Sequence, residues 1–140
     1  MDSLIEGWVE EIESSSRKVS PATRAVLEAV AVRDGHFRAE EIVDVIPSIG
    51  RATVYRTLRL MVKLGLLCRV LLADGSMEYI LSRQGHHHHL VCIECGSVAD
   101  IFGCDVTDLI ERVSRESSYQ VVGHRIEIYG RCQTCRTDRA

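Results

Sequence analysis

No apolar run in this sequence approaches the roughly 18 residues that a membrane-spanning helix requires. Nor does a basic segment precede an apolar core near its start: five acids, Asp2, Glu6, Glu10, Glu11 and Glu13, come before the first basic residue, Arg17. A membrane span and a secretory leader are therefore not expected, and the expected location is the cytoplasm. Internal repeats are missing apart from a recurring Cys-x-x-Cys pair, and low-complexity tracts are missing apart from one run of histidine. Prolines number two, and each reads as helix punctuation. The H-x-E and P-C-x-x-C elements of the zinc deaminases are also lacking, because Val91 precedes Cys92 and Arg131 precedes Cys132. Without the motif that carries the glutamate base of such sites, a zinc hydrolase is not expected and the protein does not read as an enzyme.

What is present first concerns charge. At 140 residues, 46% hydrophobic and 26% charged, the chain has room for one large domain or two small ones. A net charge of −3 says little about partners, but its distribution does. From Arg17 to Arg69 ten basic residues stand against five acids, and the stretch from Arg51 to Arg69 contains no acid at all. Binding to a polyanion follows the local field, so one basic face on a mildly acidic protein suffices.

Metal chemistry dominates the second half. His86, His87, His88, His89, Cys92 and Cys95 put six potential ligands in ten residues, and Cys132 with Cys135 repeats the Cys-x-x-Cys pair after 36 intervening residues. Four such thiolates are the set that a tetrahedral structural zinc site needs. In a reducing compartment this outranks a disulfide framework, which would allow three connectivities, and two independent redox pairs. An artificial histidine tract is disfavoured by the interior position. Side chains alternate along a strand, so His87 and His89 would point to one face and His86 and His88 to the other, feeding two sites. His36, His124, Asp100, Cys68 and Cys104 are further candidates if the fold brings them near. A mixed nitrogen and oxygen set suits zinc, iron(II) or manganese, and a thiolate from Cys68 favours zinc.

Periodicity places the elements. Leu4, Ile5, Trp8, Val9 and Ile12 predict an amphipathic first helix, and Ser20-Pro21 is an N-cap followed by proline in the first turn of a second, ending at Val32. A short third helix fits 39–45, before Pro47. After the turn at 48–50 comes a helix over 51–64, with Val54, Leu58, Met61, Val62 and Leu60 as its buried stripe. Thr53, Tyr55, Arg56, Arg59 and Lys63 fall largely on the other side, and with Arg51 they combine base-edge, methyl and phosphate contacts. Two apolar runs around Asp74-Gly75-Ser76 predict a hairpin. Helices, a short turn, a last helix and a hairpin are the order of a winged helix-turn-helix. Beyond it, strands over 89–93 and 97–102, a helix over 106–114 and a strand over 119–129 are expected. The division is 1–82 for the winged helix, 83–85 for a hinge and 86–140 for the metal-binding part. Roughly 55 residues make a small core, so zinc and dimerisation are both plausible supports.

The stretches SIGRATVYRTLRLMVKLGLL, HHHHLVCIECG and HRIEIYGRCQTC together resemble the ferric uptake regulator (Fur) family over nearly the whole chain. The resemblance implies an α+β protein, a winged helix-turn-helix DNA-binding domain followed by a small C-terminal α/β dimerisation domain. It implies a metal-dependent, dimeric transcription repressor of metal uptake or metal-linked stress genes, acting on double-stranded operator DNA. Cys92, Cys95, Cys132 and Cys135 would hold structural Zn(2+). A regulatory Zn(2+), Fe(2+) or Mn(2+) would sit between the halves on His36, His87, His89 and Asp100, with Cys68 at the position where zinc-sensing relatives use a cysteine. A further site would use His86, His88 and His124, and Tyr55 and Arg56 would enter the groove.

Two positions depart from the family. Ile80 stands where a carboxylate is frequent just before the hinge, and Thr107 stands where an acidic ligand is usual, leaving Asp105 or Asp108 to substitute or the further site to be absent. Asp100 matches peroxide-sensing relatives whereas Cys68 matches zinc-sensing ones. The alternative to a regulator is a metal storage or delivery protein, which would leave the 51–64 helix idle.

Overall fold

The computed structural model describes residues 1–82 and 86–137, so the expected hinge at 83–85 lies outside the described residues. Two units are present, Met1–Leu71 with Gly75–Arg83, and Leu72–Asp74 with Gln84–Ala140.

The first unit contains α1 (Asp2–Ser14), α2 (Pro21–Ala31), α3 (Ala39–Val45), α4 (Arg51–Lys63) and a hairpin of β1 (Leu67–Leu71) and β2 (Met77–Leu81). Ile5, Trp8 and Ile12 recur every three or four residues and bury one stripe of α1, whereas Leu4, beside that stripe, stays exposed. In α2 the Ser20 hydroxyl accepts the Thr23 N–H at 3.1 Å, satisfying one of the donors that a helix start leaves unpaired. Helix α3 is held at its start by the Arg38 N–H donating to the Glu41 carboxylate at 2.6 Å.

Helix α4 crosses the middle of this core, with Val54, Leu58 and Met61 fully buried. Thr57 is buried with them because its hydroxyl donates to the Thr53 carbonyl at 2.8 Å. Leu60 and Val62 are only partly covered and flank the stripe. Gly65, at φ +76°, ends α4: its N–H reaches the Val62 carbonyl at 3.0 Å, and the Leu66 N–H reaches Met61 at 2.8 Å. That reversal needs the left-handed region, which glycine enters without steric cost.

Strands β1 and β2 pair antiparallel, Cys68 opposite Ile80 and Val70 opposite Glu78. A contact outside the hairpin fixes it to the helices: Phe37 and Tyr79 exchange backbone hydrogen bonds of 2.8 and 2.7 Å, and their rings stack 5.9 Å apart. Helices and hairpin together make a winged helix.

The second unit contains β3 (His87–Cys92), β4 (Val98–Phe102), α5 (Thr107–Ser117), β5 (Glu127–Gly130) and a short α6 (Gln133–Thr137). The sheet order is β4-β3-β5, with β3 antiparallel to β4 and parallel to β5. Three differences from the sequence reading stand out. Strand β3 starts at His87 and so includes most of the histidine run. The strand expected over 119–129 is confined to Glu127–Gly130, because those residues alone meet β3, while Tyr119 and Val122 are 75% and 92% exposed. Alternating apolar residues make a strand only where a neighbouring ladder accepts their backbone groups. Helix α6, five residues long, was not anticipated.

Leu58→Ala should cost about 2–5 kcal/mol by the cavity it leaves, and Ser20→Ala about 1 kcal/mol by loss of the cap. Trp8 is the chain's single tryptophan and is buried in this core, so denaturant unfolding followed by its fluorescence reads both.

Candidate metal centres and nucleic-acid face

Cys92 ends β3, and the chain then folds tightly back so that the Gly96 N–H donates to the Cys92 carbonyl at 3.1 Å. On the neighbouring strand β5 runs into Cys132 and α6, and the Cys132 N–H points at Cys92 Sγ from 3.4 Å. The four sulfurs of Cys92, Cys95, Cys132 and Cys135 all lie within 4.8 Å of one another, and all six cysteines are free thiols. Zinc–sulfur bonds of about 2.3 Å put tetrahedral ligands about 3.8 Å apart. Cys95 and Cys132 stand at that spacing, 3.8 Å. Backbone N–H groups of Cys132, Cys95 and Glu94 pull the Cys92 thiol down to about 6. Ser97 lowers Cys95 through its side chain and its N–H. Cys135 is instead pushed up to about 12, first by its hydrogen bond to Cys132 and then by burial. Four crowded sulfurs cannot all be anionic without a cation, and a dication at their centre removes that conflict. The donor set fits structural zinc. Arg131 spans the two pairs by donating to the Glu94 carboxylate at 2.7 Å.

Upstream of Cys92, β3 carries donors on both faces. On one, the rings of His87 and His89 meet edge-on with centroids 5.2 Å apart. Pairing places His89 between Asp100 on β4 and Glu127 on β5. His87 Nε2 is 4.0 Å from Asp100 Oδ1, and His89 Nδ1 is 3.8 Å from Glu127 Oε1. His89 is buried, and its Nε2 has no hydrogen-bond partner among the described residues. Burial holds its basicity below the usual histidine range, helped by His87 and opposed by Asp100 and Glu127. A neutral, buried imidazole with an unused nitrogen carries a cost of about 1–3 kcal/mol that a bound ion would relieve. These residues therefore fit a divalent ion.

On the opposite face His86, His88 and His124 converge. His86 Nε2 is 3.1 Å from His88 Nε2 and 3.0 Å from His124 Nε2. Burial, then repulsion from His86 and His124, keeps His88 less basic than usual. Asp105 and Asp108 do not join this group of mutually close donors, so neither replaces the carboxylate that Thr107 lacks.

The remaining candidates belong to the first unit. The Phe37–Tyr79 bridge sets His36 beside β2, where its Nδ1 meets the Glu78 carboxylate. A carboxylate thus stands two residues before Ile80, on the same face of the strand and against His36. Cys68, opposite Ile80 on β1, donates to the Ser82 hydroxyl at 3.3 Å. Sequence reasoning missed Glu78 and Glu127. The spacing of Glu78 to Ile80 along one strand face was the available signal for the first, and β5 pairing, invisible in one sequence, was needed for the second.

Helix α4 turns Arg51, Arg56, Arg59 and Lys63 to solvent, with Thr53 and Tyr55 half-covered. The Tyr55 hydroxyl donates to the Glu40 carboxylate, which also takes Arg51 at 3.3 Å, and the Arg51 guanidinium lies 5.5 Å from the Tyr55 ring centre. This bond lowers Glu40 and raises Tyr55 from their ordinary values. Arg56 donates to the Thr53 hydroxyl at 3.3 Å. Beside them Arg17, Lys18, Thr23, Thr53 and Arg56 line a cleft of about 340 Å³, with the start of α2 at its edge. Cations, hydroxyls and a helix N-terminus are a phosphate-binding combination. Arg17 and Lys18 had counted only towards the basic stretch.

The sequence model of the Ferric uptake regulator family matches residues 14–129. The Ferric uptake regulation protein of Bacillus subtilis is 33% identical over 96% of each chain. Among solved structures, the Vibrio cholerae ferric uptake regulator is 31% identical, with TM-score 0.57 over 88% of this chain and 98% of that one. A zinc uptake regulator complexed with zinc and DNA shares the fold at TM-score 0.77, covering 99% of this chain and 96% of that one, at 19% identity.

Cys132→Ser should leave the purified protein about one zinc equivalent short and melt the second unit, since structural zinc contributes about 10–16 kcal/mol of folding free energy in small domains. Metal analysis and circular dichroism check this, with Trp8 fluorescence expected to stay native. A variant retaining its zinc would contradict the assignment.

Proposed function

The chain belongs to the ferric uptake regulator family, and on that premise we propose that it is a metal-responsive repressor of metal uptake or metal-linked stress genes, binding operator DNA as a homodimer. The observation that carries this reading is one chain holding both an acid-free basic helix in a winged-helix setting and three groups of metal donors around β3. A storage or delivery protein has no use for the first. Family members are regulators and not enzymes, and none of the described helices is long and apolar enough to cross a membrane. We place the protein in the cytoplasm.

Cys92, Cys95, Cys132 and Cys135 hold Zn(2+) that supports the second unit. His87, His89 and Asp100 from that unit, with His36 and Cys68 from the first, are proposed to share a regulatory Zn(2+), Fe(2+) or Mn(2+), with Glu78 and Glu127 supplying carboxylates. Bound there, the ion contributes positive charge and fixed ligand directions. The residues do the rest: His36 sits on the bridge between helices and wing, so a demand on its ring is felt at both. Ligation shifts the population towards arrangements that hold two α4 helices at half-site spacing. His86, His88 and His124 are proposed as an additional site.

In a dimer, α4 would place Tyr55, Arg56, Thr53 and Arg59 in the major groove, with Arg51, Arg17 and Lys18 on phosphates. Tyr55 must exchange its bond to Glu40 for one to DNA, so Glu40 competes with the base edge. Dimerisation fits the exposed apolar side chains of the second unit, Phe102, Leu109, Val113, Ile128 and Tyr129, which are 41–55% exposed in a single copy.

Fluorescence anisotropy with a duplex from upstream of the protein's own gene tests the reading, after mild chelation that spares the four cysteines. One of zinc, manganese or anaerobic iron(II) should tighten binding by roughly tenfold or more, about 1.4 kcal/mol. Metal-indifferent affinity would favour storage or delivery. In the same assay Tyr55→Ala should lose about 1–3 kcal/mol at one base position, whereas Lys18→Ala should weaken all sequences alike and lower the salt slope by about 1.

A further inference from the structure

Cys104 lies just after β4, in the loop leading to α5, and nothing in its sequence neighbourhood marks it as a ligand. Its Sγ is nevertheless 3.1 Å from His124 Nε2. With His86, His88 and His124 it forms a group whose donor atoms all lie within 4.8 Å of one another. We propose that Cys104 is the fourth ligand of this centre, which is thereby a closed three-histidine, one-thiolate site for zinc or a zinc-like ion. The inference rests on the proposed role of His86, His88 and His124 as ligands, and is independent of DNA binding.

The geometry argues for a cation and not for a hydrogen-bonded network. An imidazole carries one N–H when neutral, so His86 Nε2 can satisfy either His88 or His124 but not both, and their nitrogens otherwise present lone pairs to one another. Zinc–nitrogen bonds of about 2.0–2.1 Å place tetrahedral ligands about 3.3 Å apart, close to the 3.0 and 3.1 Å found here. The Cys104 sulfur occupies the remaining corner. A centre of three histidines alone would keep an open position, as catalytic zinc does, whereas a fourth protein ligand closes it.

The thiolate also changes which metal the centre prefers. A carboxylate suits manganese and iron(II), and a soft sulfur shifts preference to zinc. Binding forms one metal–sulfur bond and releases the thiol proton to solvent, with no change of oxidation state. His88 lies on β3 next to His89, so this ion would brace the strand that also carries the proposed regulatory ligands.

The test uses full-length protein with zinc on its four cysteines and His87→Ala/His89→Ala/Cys68→Ser substitutions that remove donors of the other proposed centre. Anaerobic titration with cobalt(II), with zinc retention verified by metal analysis, should show one equivalent bound with a near-ultraviolet thiolate-to-cobalt charge-transfer band. Adding Cys104→Ser should abolish that band and weaken cobalt binding by roughly tenfold or more. Matching circular dichroism shows that each variant is folded. A cobalt equivalent bound without the band, or a band surviving Cys104→Ser, would overturn Cys104 as a ligand. No bound equivalent at all would overturn the three-histidine site itself and leave the DNA-binding reading untouched.

Discussion

The alternation of side chains along β3 is the constraint on which both histidine centres depend. His87 and His89 face one way and His88 the other, and because β3 is the central strand each face is completed by residues from its neighbours. A slip of one residue would exchange the faces and dismantle both centres. Register is therefore fixed where it can be held most firmly. Cys92 ends the same strand, and its sulfur gathers with Cys95, Cys132 and Cys135, the last two carried by the segment that leaves the parallel partner β5. A zinc ion at that point would lock β3 against β5, and the four-cysteine centre would thereby set the geometry of histidines several residues away.

Burial then gives those histidines their chemistry. His88 and His89 are adjacent in sequence and both nearly inaccessible, on opposite faces of one strand. Neutral imidazole is the form that binds metal, and both are biased towards it by burial before any ion arrives. In the first unit the equivalent preparation is the bridge between Phe37 and Tyr79, which holds His36 against Glu78. DNA contact carries a different constraint. Glu40 ties down Tyr55 and Arg51 together, so part of the basic face is internally neutralised until a stronger anion competes.

Much of this was legible in the residues. The 3.6-residue period of Val54, Leu58 and Met61 located α4, the Ser20-Pro21 pair located the start of α2, and the spacing of four cysteines announced their centre. What escaped was whatever depended on pairing between distant segments. Glu78 looked uninvolved because the family position two residues later holds Ile80, and the Phe37 bridge that brings His36 to Glu78 has no local signature. Glu127 was hidden for the same reason, since it needs the β5 register, whereas Cys104 stood among the candidates and only its partners depended on the path of a loop. The strand expected over 119–129 was too long because alternation was visible but the length of the available ladder was not. Tyr119 and Val122 show the consequence, apolar side chains left in solvent.

The claim that β3 separates two independent centres is tested most directly by metal stoichiometry in His89→Ala and His88→Ala, each measured beside the metal dependence of DNA binding. His89→Ala should lose one equivalent of divalent ion and the metal dependence together, keeping the equivalent held on the opposite face. His88→Ala should lose that other equivalent and still bind DNA more tightly when metal is added. If either single substitution removed both equivalents, or if His88→Ala abolished the response while His89→Ala preserved it, the division of labour between the two faces would be contradicted.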